Sequence, residues 1–315
     1  MSTTDSQDGK YLDSATLDKI KRLDVRARLV VEGYMTGGHR SPYHGFAVEF
    51  AAHREYTPGD DLRHIDWKVW SKTDRLYIKE FEEETNLKCH LLLDRSKSML
   101  YGGSAVSSGD GKWSKFDYAA TATASLAYLM QQQQDAVGLV TFSNQIDRLL
   151  KPSTHPSHLK LVFHELEQTR CDKRTEVSDA FLGLAAQLRQ RGMVILLSDL
   201  LLPLADLAQT LRQFRLRKHE VIVFHVMHSD ELTFPFDENT LFRGYEVDAQ
   251  LLAEPRALRK SYLEALERHN SEIRKLCAGA GIDYVLLDTS KPLDVALSSY
   301  LSFRLRSRRR LTGRI

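Results

Sequence analysis

Residues 88–99 read KCHLLLDRSKSM. A short apolar run stops at a carboxylate, and hydroxyl and cationic side chains then alternate. A run this short fits a strand buried on both faces, as in the middle of a parallel sheet. The chain beyond it repeats the theme. Apolar runs at Val137–Phe142, Met193–Leu197, Val221–Met227 and Tyr284–Leu287 alternate with amphipathic stretches. Those stretches are Lys115–Gln133, His158–Thr169, Ser178–Arg191, Leu204–Arg217 and Pro255–Ala278. Alternating strand and helix predict βαβ units: an α/β, Rossmann-like, mostly parallel sheet with helices on both faces. Gln145–Leu150 follows the second run after Ser143-Asn144, which predicts a hairpin at the sheet edge. Thr233–Val247 has no helical period and is expected as a further hairpin.

Upstream the texture changes. Residues 1–10 are polar. Leu12, Leu17, Ile20, Leu23, Ala27, Val30 and Val31 then recur at helical spacing, which predicts an amphipathic helix over 12–34 whose end Gly33 and Gly37-Gly38 mark. Residues 35–86 are rich in aromatics, His and Gly, with turn signals at Ser41-Pro42 and Thr57-Pro58-Gly59-Asp60. Alternation near Phe46–Phe50 and Leu76–Phe81 predicts strands. The expected organisation is a tail and helix at 1–34, a small β-rich subdomain at 35–86, and an α/β domain at 87–315 with a basic C-terminal tail.

The 315 residues carry 44 Lys and Arg against 42 Asp and Glu, a net charge of +2. No global field therefore drives the chain onto nucleic acid or membrane. Cys89, Cys171 and Cys277 are far apart, form no CxxC pair and cannot all be disulfide-bonded, as in a reducing compartment. The first ten residues contain acids and no apolar core, unlike a signal peptide. The longest apolar runs fall far short of the roughly 18 residues that span a bilayer. A cytoplasmic protein without a membrane partner is the expectation.

The chemistry gathers at strand ends. In an open parallel sheet, ligands bind outside the carboxyl ends of the strands, where the strand order reverses. Asp94, Ser96 and Ser98 follow the first strand, with Arg95 and Lys97 alternating to the other side. One carboxylate and two hydroxyls make a hard oxygen set, suited to Mg²⁺ or Mn²⁺ rather than zinc. The run MVILLSDLL ends in Ser198-Asp199, a second strand-terminal carboxylate, and RCDKRTEVSD offers the Thr175 hydroxyl. The plainer alternative is a turn in which Ser and Asp cap the next helix.

D-x-S-x-S after an apolar strand, then a Thr loop and a strand-terminal Asp, resembles the metal-ion-dependent adhesion site of von Willebrand factor A domains. EFAAHREYTPGDDLRHIDWKVWSKTDRLYIKEFEEE directly before LLLDRSKSM, and DAVGLVTFS after it, resemble the bacterial family called domain of unknown function 58. The resemblance covers roughly residues 30–230. It implies a von Willebrand A-like fold and work alongside MoxR-type AAA+ ATPases in chaperone-like maturation of protein complexes. It further implies that Ser96, Ser98 and Thr175 coordinate a metal directly. Asp94 and Asp199 would hold it directly or through water, and a partner carboxylate would complete the shell. Glu176 follows Thr175 where such domains often carry Asp, with Lys173-Arg174 just before.

Other motifs read as structure. GDDLRHIDWK at 59–68 is expected to form a network of Asp, Arg63 and a core Trp67 rather than an acid/base pair. His39, His44, His53 and His64 match no compact zinc spacing, and Cys89 is expected to be buried in its strand. No GxxxxGK[ST] or GxGxxG occurs, so the chain should not itself bind ATP. Arg304, Arg306, Arg308, Arg309, Arg310 and Arg314 are expected as the solvated end of a helix. The resulting expectation is a non-enzymatic, metal-dependent interaction module whose partner is a MoxR-type ATPase or its client. Two alternatives belong to other classes: a Mg²⁺-dependent hydrolase or phosphotransferase using Asp94, and nucleic-acid binding through the arginine tail.

Overall fold

A computed structural model describes residues 22–36, 50–57, 67–73, 75–81, 87–103, 113–171, 185–188, 191–245 and 249–312. The chain divides into two compact units, Met1–His39 with Leu87–Ile315, and Arg40–Asn86.

In chain order the elements are α1 (Leu23–Thr36), β1 (Phe50–Glu55), α2 (Trp67–Thr73), β2 (Tyr77–Phe81), β3 (Lys88–Asp94), α3 (Lys115–Gln132), β4 (Ala136–Phe142), β5 (Ile146–Ser153) and α4 (Pro156–Gln168). They continue with β6 (Met193–Ser198), α5 (Leu204–Leu216), β7 (Glu220–Met227), α6 (Ser229–Thr233), β8 (Thr240–Arg243), β9 (Gln250–Ala253), α7 (Pro255–Gly279), β10 (Asp283–Asp288) and α8 (Asp294–Thr312).

The larger unit is built on a six-stranded sheet in the order β10-β7-β6-β3-β4-β5. All neighbours are parallel except β5, which closes the edge antiparallel to β4. This is the mixed α/β architecture expected from the alternating runs, with the edge hairpin at Ser143-Asn144. The second hairpin forms too, as β8 against β9, although a helical turn, α6, precedes it. From β3 the chain moves outward to β4 and β5, then returns to place β6 on the other side of β3. The strand order therefore reverses between β3 and β6.

Strand alternation assigns the two sheet faces. Leu92, Val140, Val194, Leu196 and Val223 form one core with Leu207, Leu211 and Phe214 of α5 and Ile273 and Cys277 of α7. The alternate residues Leu91, Leu93, Leu139, Ile195 and Phe224 are equally buried and face the other way, where α3 packs on β3 and β6.

Helix α3 is apolar or small nearly all round, the pattern of a helix covered on every side. Thr121, Thr123 and Ser125 keep their buried hydroxyls satisfied by donating to carbonyls four residues back, at 2.8, 2.7 and 2.8 Å. Helix α1 supplies part of the cover: it packs on α3, and its buried face is Leu23, Ala27, Val30, Val31 and Tyr34. It continues through Gly33, since one glycine within a packed helix costs only about 1 kcal/mol, and ends at Thr36, directly before Gly37-Gly38. Residues 12–21 of the expected helix lie outside the described residues.

In the smaller unit β1 pairs antiparallel with β2. The described part of the first strand is Phe50–Glu55; residues 46–49 of the expected segment lie outside those described. Trp67 does not sit in a core. It is 59% exposed and meets Trp70 edge-on at 6.0 Å. Residues 59–66 of the GDDLRHIDWK stretch, His39, His44 and His64, and the side chains of His53 and of the arginine tail, lie outside those described.

Candidate metal centre

The parallel register sets Leu93 beside Leu197, so Asp94 and Ser198 end adjacent strands at the reversal point. The Ser198 hydroxyl donates to Asp94 Oδ2 at 2.6 Å, and the Ser96 amide donates to Oδ1 at 2.8 Å. Both carboxylate oxygens are thus engaged, and Asp94 is 1% exposed. Ser96 precedes a 3₁₀ turn, Lys97–Leu100, but its side chain makes no capping bond. Its hydroxyl instead faces that of Ser98 at 3.0 Å. Both serines are buried, while Arg95 and Lys97 are half-buried. The capping alternative therefore does not describe Ser96.

Asp199 leaves β6 just before Leu200, which adopts a left-handed backbone at φ 53°. Such a conformation in a bulky side chain is strained and survives only where the surroundings impose it. Here the Leu200 amide donates to Ser198 Oγ at 3.0 Å. Lys115, the first residue of α3, extends its ammonium to Asp199 Oδ2 at 2.9 Å and to Glu231 Oε1 of α6 at 2.8 Å. Lys115 is 1% exposed. Behind Asp199, His225 of β7 contacts the Asp199 carbonyl through Nε2 at 2.9 Å and the Tyr284 hydroxyl through Nδ1 at 2.8 Å.

Burial and the neighbouring Asp199 charge push the Asp94 carboxyl up to about 7. Burial acts on Asp199 in the same direction, but Lys115 and hydrogen bonding, the Ser98 hydroxyl included, outweigh it and hold Asp199 below its usual value. Burial works against the Lys115 ammonium, yet Asp199 and Glu231 hold it above its ordinary range. Burial pushes His225 down to about 4, which keeps the ring neutral. Lys115 serves Asp199 and Glu231, and among the described residues Asp94 has no cation bonded to it, so a surplus of carboxylate over ammonium is left that the raised Asp94 value reflects.

That surplus, with two hydroxyls turned toward each other between two carboxylates, suits one small hard cation. Among the described residues no three His, Cys, Asp or Glu side chains converge as a ligand group. The cation would rest on Ser96, Ser98, Asp94 and Asp199, with Lys115 bonded to Oδ2 of Asp199 rather than Oδ1. These four residues come together from two strand ends. Thr175 lies outside the described residues.

Lys115, Glu231, Ser198 and His225 were not legible as site residues. One signal pointed to Lys115. A cation in the first turn of a helix opposes the helix dipole, so a lysine there calls for nearby carboxylates. Glu231 carried no such sign; it closes a capping box on His228.

The sequence matches the family described as "Protein of unknown function DUF58" over residues 52–272. An uncharacterised protein of Mycobacterium tuberculosis is 23% identical over 277 residues, covering 86% of this chain and 84% of its own. The uncharacterised YeaD of Bacillus subtilis is 25% identical over 139 residues, 44% of this chain and 31% of its own. Among solved structures, an aerotolerance-related membrane protein from Bacteroides fragilis is similar at 17% identity and a TM-score of 0.46, covering 69% of this chain and 98% of that one. BatB from Bacteroides thetaiotaomicron is similar at 14% identity and 0.41, covering 68% and 98%. Both scores are too low to define a shared fold. No helix among the described residues is long and apolar enough to cross a membrane.

Proposed function

The chain belongs to the DUF58 family of proteins of unknown function, and on that premise we propose that it is a non-enzymatic, von Willebrand A-like module that docks an acidic group of a partner protein through Mg²⁺ or Mn²⁺. The reading rests on one observation: Asp94, Ser96, Ser98 and Asp199 meet at the point where the strand order reverses. A bound divalent cation would supply an electrophilic point for an incoming carboxylate. Ser96 and Ser98 contribute neutral oxygens and Lys115 offsets part of the Asp199 charge, so the ligands would cancel the cation's charge only in part. Asp94 is fixed by Ser198 and the Ser96 amide and anchors the loop. Lys115 holds Asp199 in place and offsets part of its charge. The partner is a MoxR-type AAA+ ATPase or its client, in chaperone-like maturation of protein complexes.

The geometry favours docking over a hydrolase built on Asp94. Both Asp94 oxygens accept short hydrogen bonds inside the protein, which hinders nucleophilic attack on a substrate but leaves Asp94 able to hold a cation through water.

Millimolar Mg²⁺ or Mn²⁺ is expected to raise the melting temperature of the wild type, since a ligand that binds only the native state stabilises it by mass action. Asp94→Ala and Ser98→Ala should each lose that increment. Pull-down of a MoxR-type ATPase should require the cation, and EDTA or Ser98→Ala should abolish it. Identical melting of wild type and both variants across the Mg²⁺ series, with retention that ignores EDTA, would sink the proposal.

A further inference from the structure

Beside the centre, on the far side of Glu231, lies a cleft of about 530 Å³ between α6 and the β8–β9 hairpin. Its walls are aromatic. Tyr101 and Tyr245 meet edge-on at 6.4 Å on one side. Phe234, Phe242 and Tyr262 pack together on the other, with Phe234 stacked on Phe242 at 5.7 Å and tilted against Tyr262 at 4.6 Å. Asp230 and Glu231 also line it. Asp230 is nearly fully buried and accepts the Tyr101 hydroxyl at 3.0 Å, so one tyrosine joins the aromatic wall to a carboxylate.

The walls are held in place. Phe234 stands in the left-handed region at φ 48°, a strained conformation for a bulky side chain that the structure must impose. Its amide donates to the Asp230 carbonyl at 2.8 Å. Arg259 of α7 donates to the Phe234 and Phe236 carbonyls, at 3.0 Å each, and to Asp237 at 2.9 Å. A preformed recess with aromatic faces and carboxylates favours a positive charge on an apolar stem, because ring faces and carboxylates both attract cations. Besides Arg259, which the Phe234, Phe236 and Asp237 oxygens hold, two cations stand near it. Lys115 is buried between Asp199 and Glu231, whereas Arg243 lines the cleft from an exposed position on the hairpin.

We propose that this cleft binds a cationic side chain, arginine or lysine, presented by a partner protein. The proposal stands apart from the metal reading, because none of the four candidate metal ligands lines the cleft.

The test uses the full chain in EDTA and three capped peptides, acetyl-Gly-Arg-Gly-amide and its Gln and Glu counterparts, titrated at millimolar concentration by NMR. The Arg peptide should bind saturably, about tenfold more tightly than the Gln peptide, with the Glu peptide weakest. Tyr245→Leu keeps apolar contact but removes a ring face. It should weaken the Arg peptide about three- to tenfold and leave the Gln peptide unchanged. Asp230→Asn should weaken Arg binding further, and Arg243→Gln should strengthen it by removing a competing charge. Persistence of Arg binding in Ser98→Ala would confirm that the cleft acts without the metal centre. Equal binding of the Gln or Glu peptide, no saturable Arg binding, or Arg binding indifferent to Tyr245→Leu in the folded variant would each overturn the proposal. Binding of n-butylguanidinium with exclusion of the Arg peptide would overturn the protein source in favour of a free small cation.

Discussion

Lys115 is the residue on which the centre depends most. Its ammonium is almost wholly buried and serves two carboxylates at once. A buried charge stripped of its partner costs far more than the net worth of the pair. Lys115→Met keeps the side-chain length but leaves Asp199 and Glu231 facing Asp94 with no counter-charge. It is expected to lower the unfolding free energy by roughly 3–5 kcal/mol, measured by urea denaturation with m unchanged. Because carboxylates are left over, added Mg²⁺ should recover more stability in this variant than in the wild type. Adding Asp199→Asn should restore part of the loss, since the two residues act as one unit. A Lys115→Met protein as stable as the wild type would show that the ammonium is dispensable.

Among the elements, the β4–β5 hairpin has no room for a side chain at one position. At Gly138 a Cβ would come within 2.6 Å of the Leu150 carbonyl oxygen and 2.9 Å of the Pro152 nitrogen. Both are backbone atoms of the neighbouring strand, so neither can swing aside. The register between Val137 and Leu139 is irregular at this point, and the glycine lets the strands approach there. Gly138→Ala is expected to cost about 1–3 kcal/mol through overpacking, seen as a lower urea midpoint. The candidate metal centre lies at the other end of β3, so any Mg²⁺ increment in melting temperature seen for the wild type should survive. Loss of that increment would mean that the edge hairpin and the centre are coupled.

For the whole molecule, acid stability should carry the signature of the buried histidines. Burial pushes His90 and His225 each down to about 4. For such groups the stabilisation is complete above the unfolded value near 6.5 and is lost as the pH falls from there to about 4. Asp94 has the opposite sign: with its folded value raised to about 7, the native state takes up a proton first and gains stability on acidification over the same window. Each group changes the slope by up to ~1.4 kcal/mol per pH unit. The wild type should therefore lose stability more gently than Asp94→Asn between pH 6.5 and 4, by about one such slope. Urea titrations of both proteins at several pH values test this, and equal slopes would refute the raised Asp94 carboxyl. His225→Gln should flatten the acid loss of the variant.

The strands and most helices were legible because burial of a parallel sheet leaves a local trace. Each buried strand, such as Met193–Leu197, must be apolar on both faces, and each covering helix must carry a stripe. Asp94, Ser96, Ser98 and Asp199 could be named for a similar reason, since strand ends are where an α/β sheet opens to a ligand. What the sequence left undetermined depends on contacts between distant segments. A lysine in the first turn of α3 calls for carboxylates, but nothing local says that they are Asp199 and Glu231, 84 and 116 residues away along the chain. Trp67 looked like core because aromatics favour burial, yet its exposure is set by what surrounds it. The aromatic cleft arises only when the β8–β9 hairpin folds against α6 and α7. Local chemistry determines which residues can pair, whereas chain topology decides which of them meet.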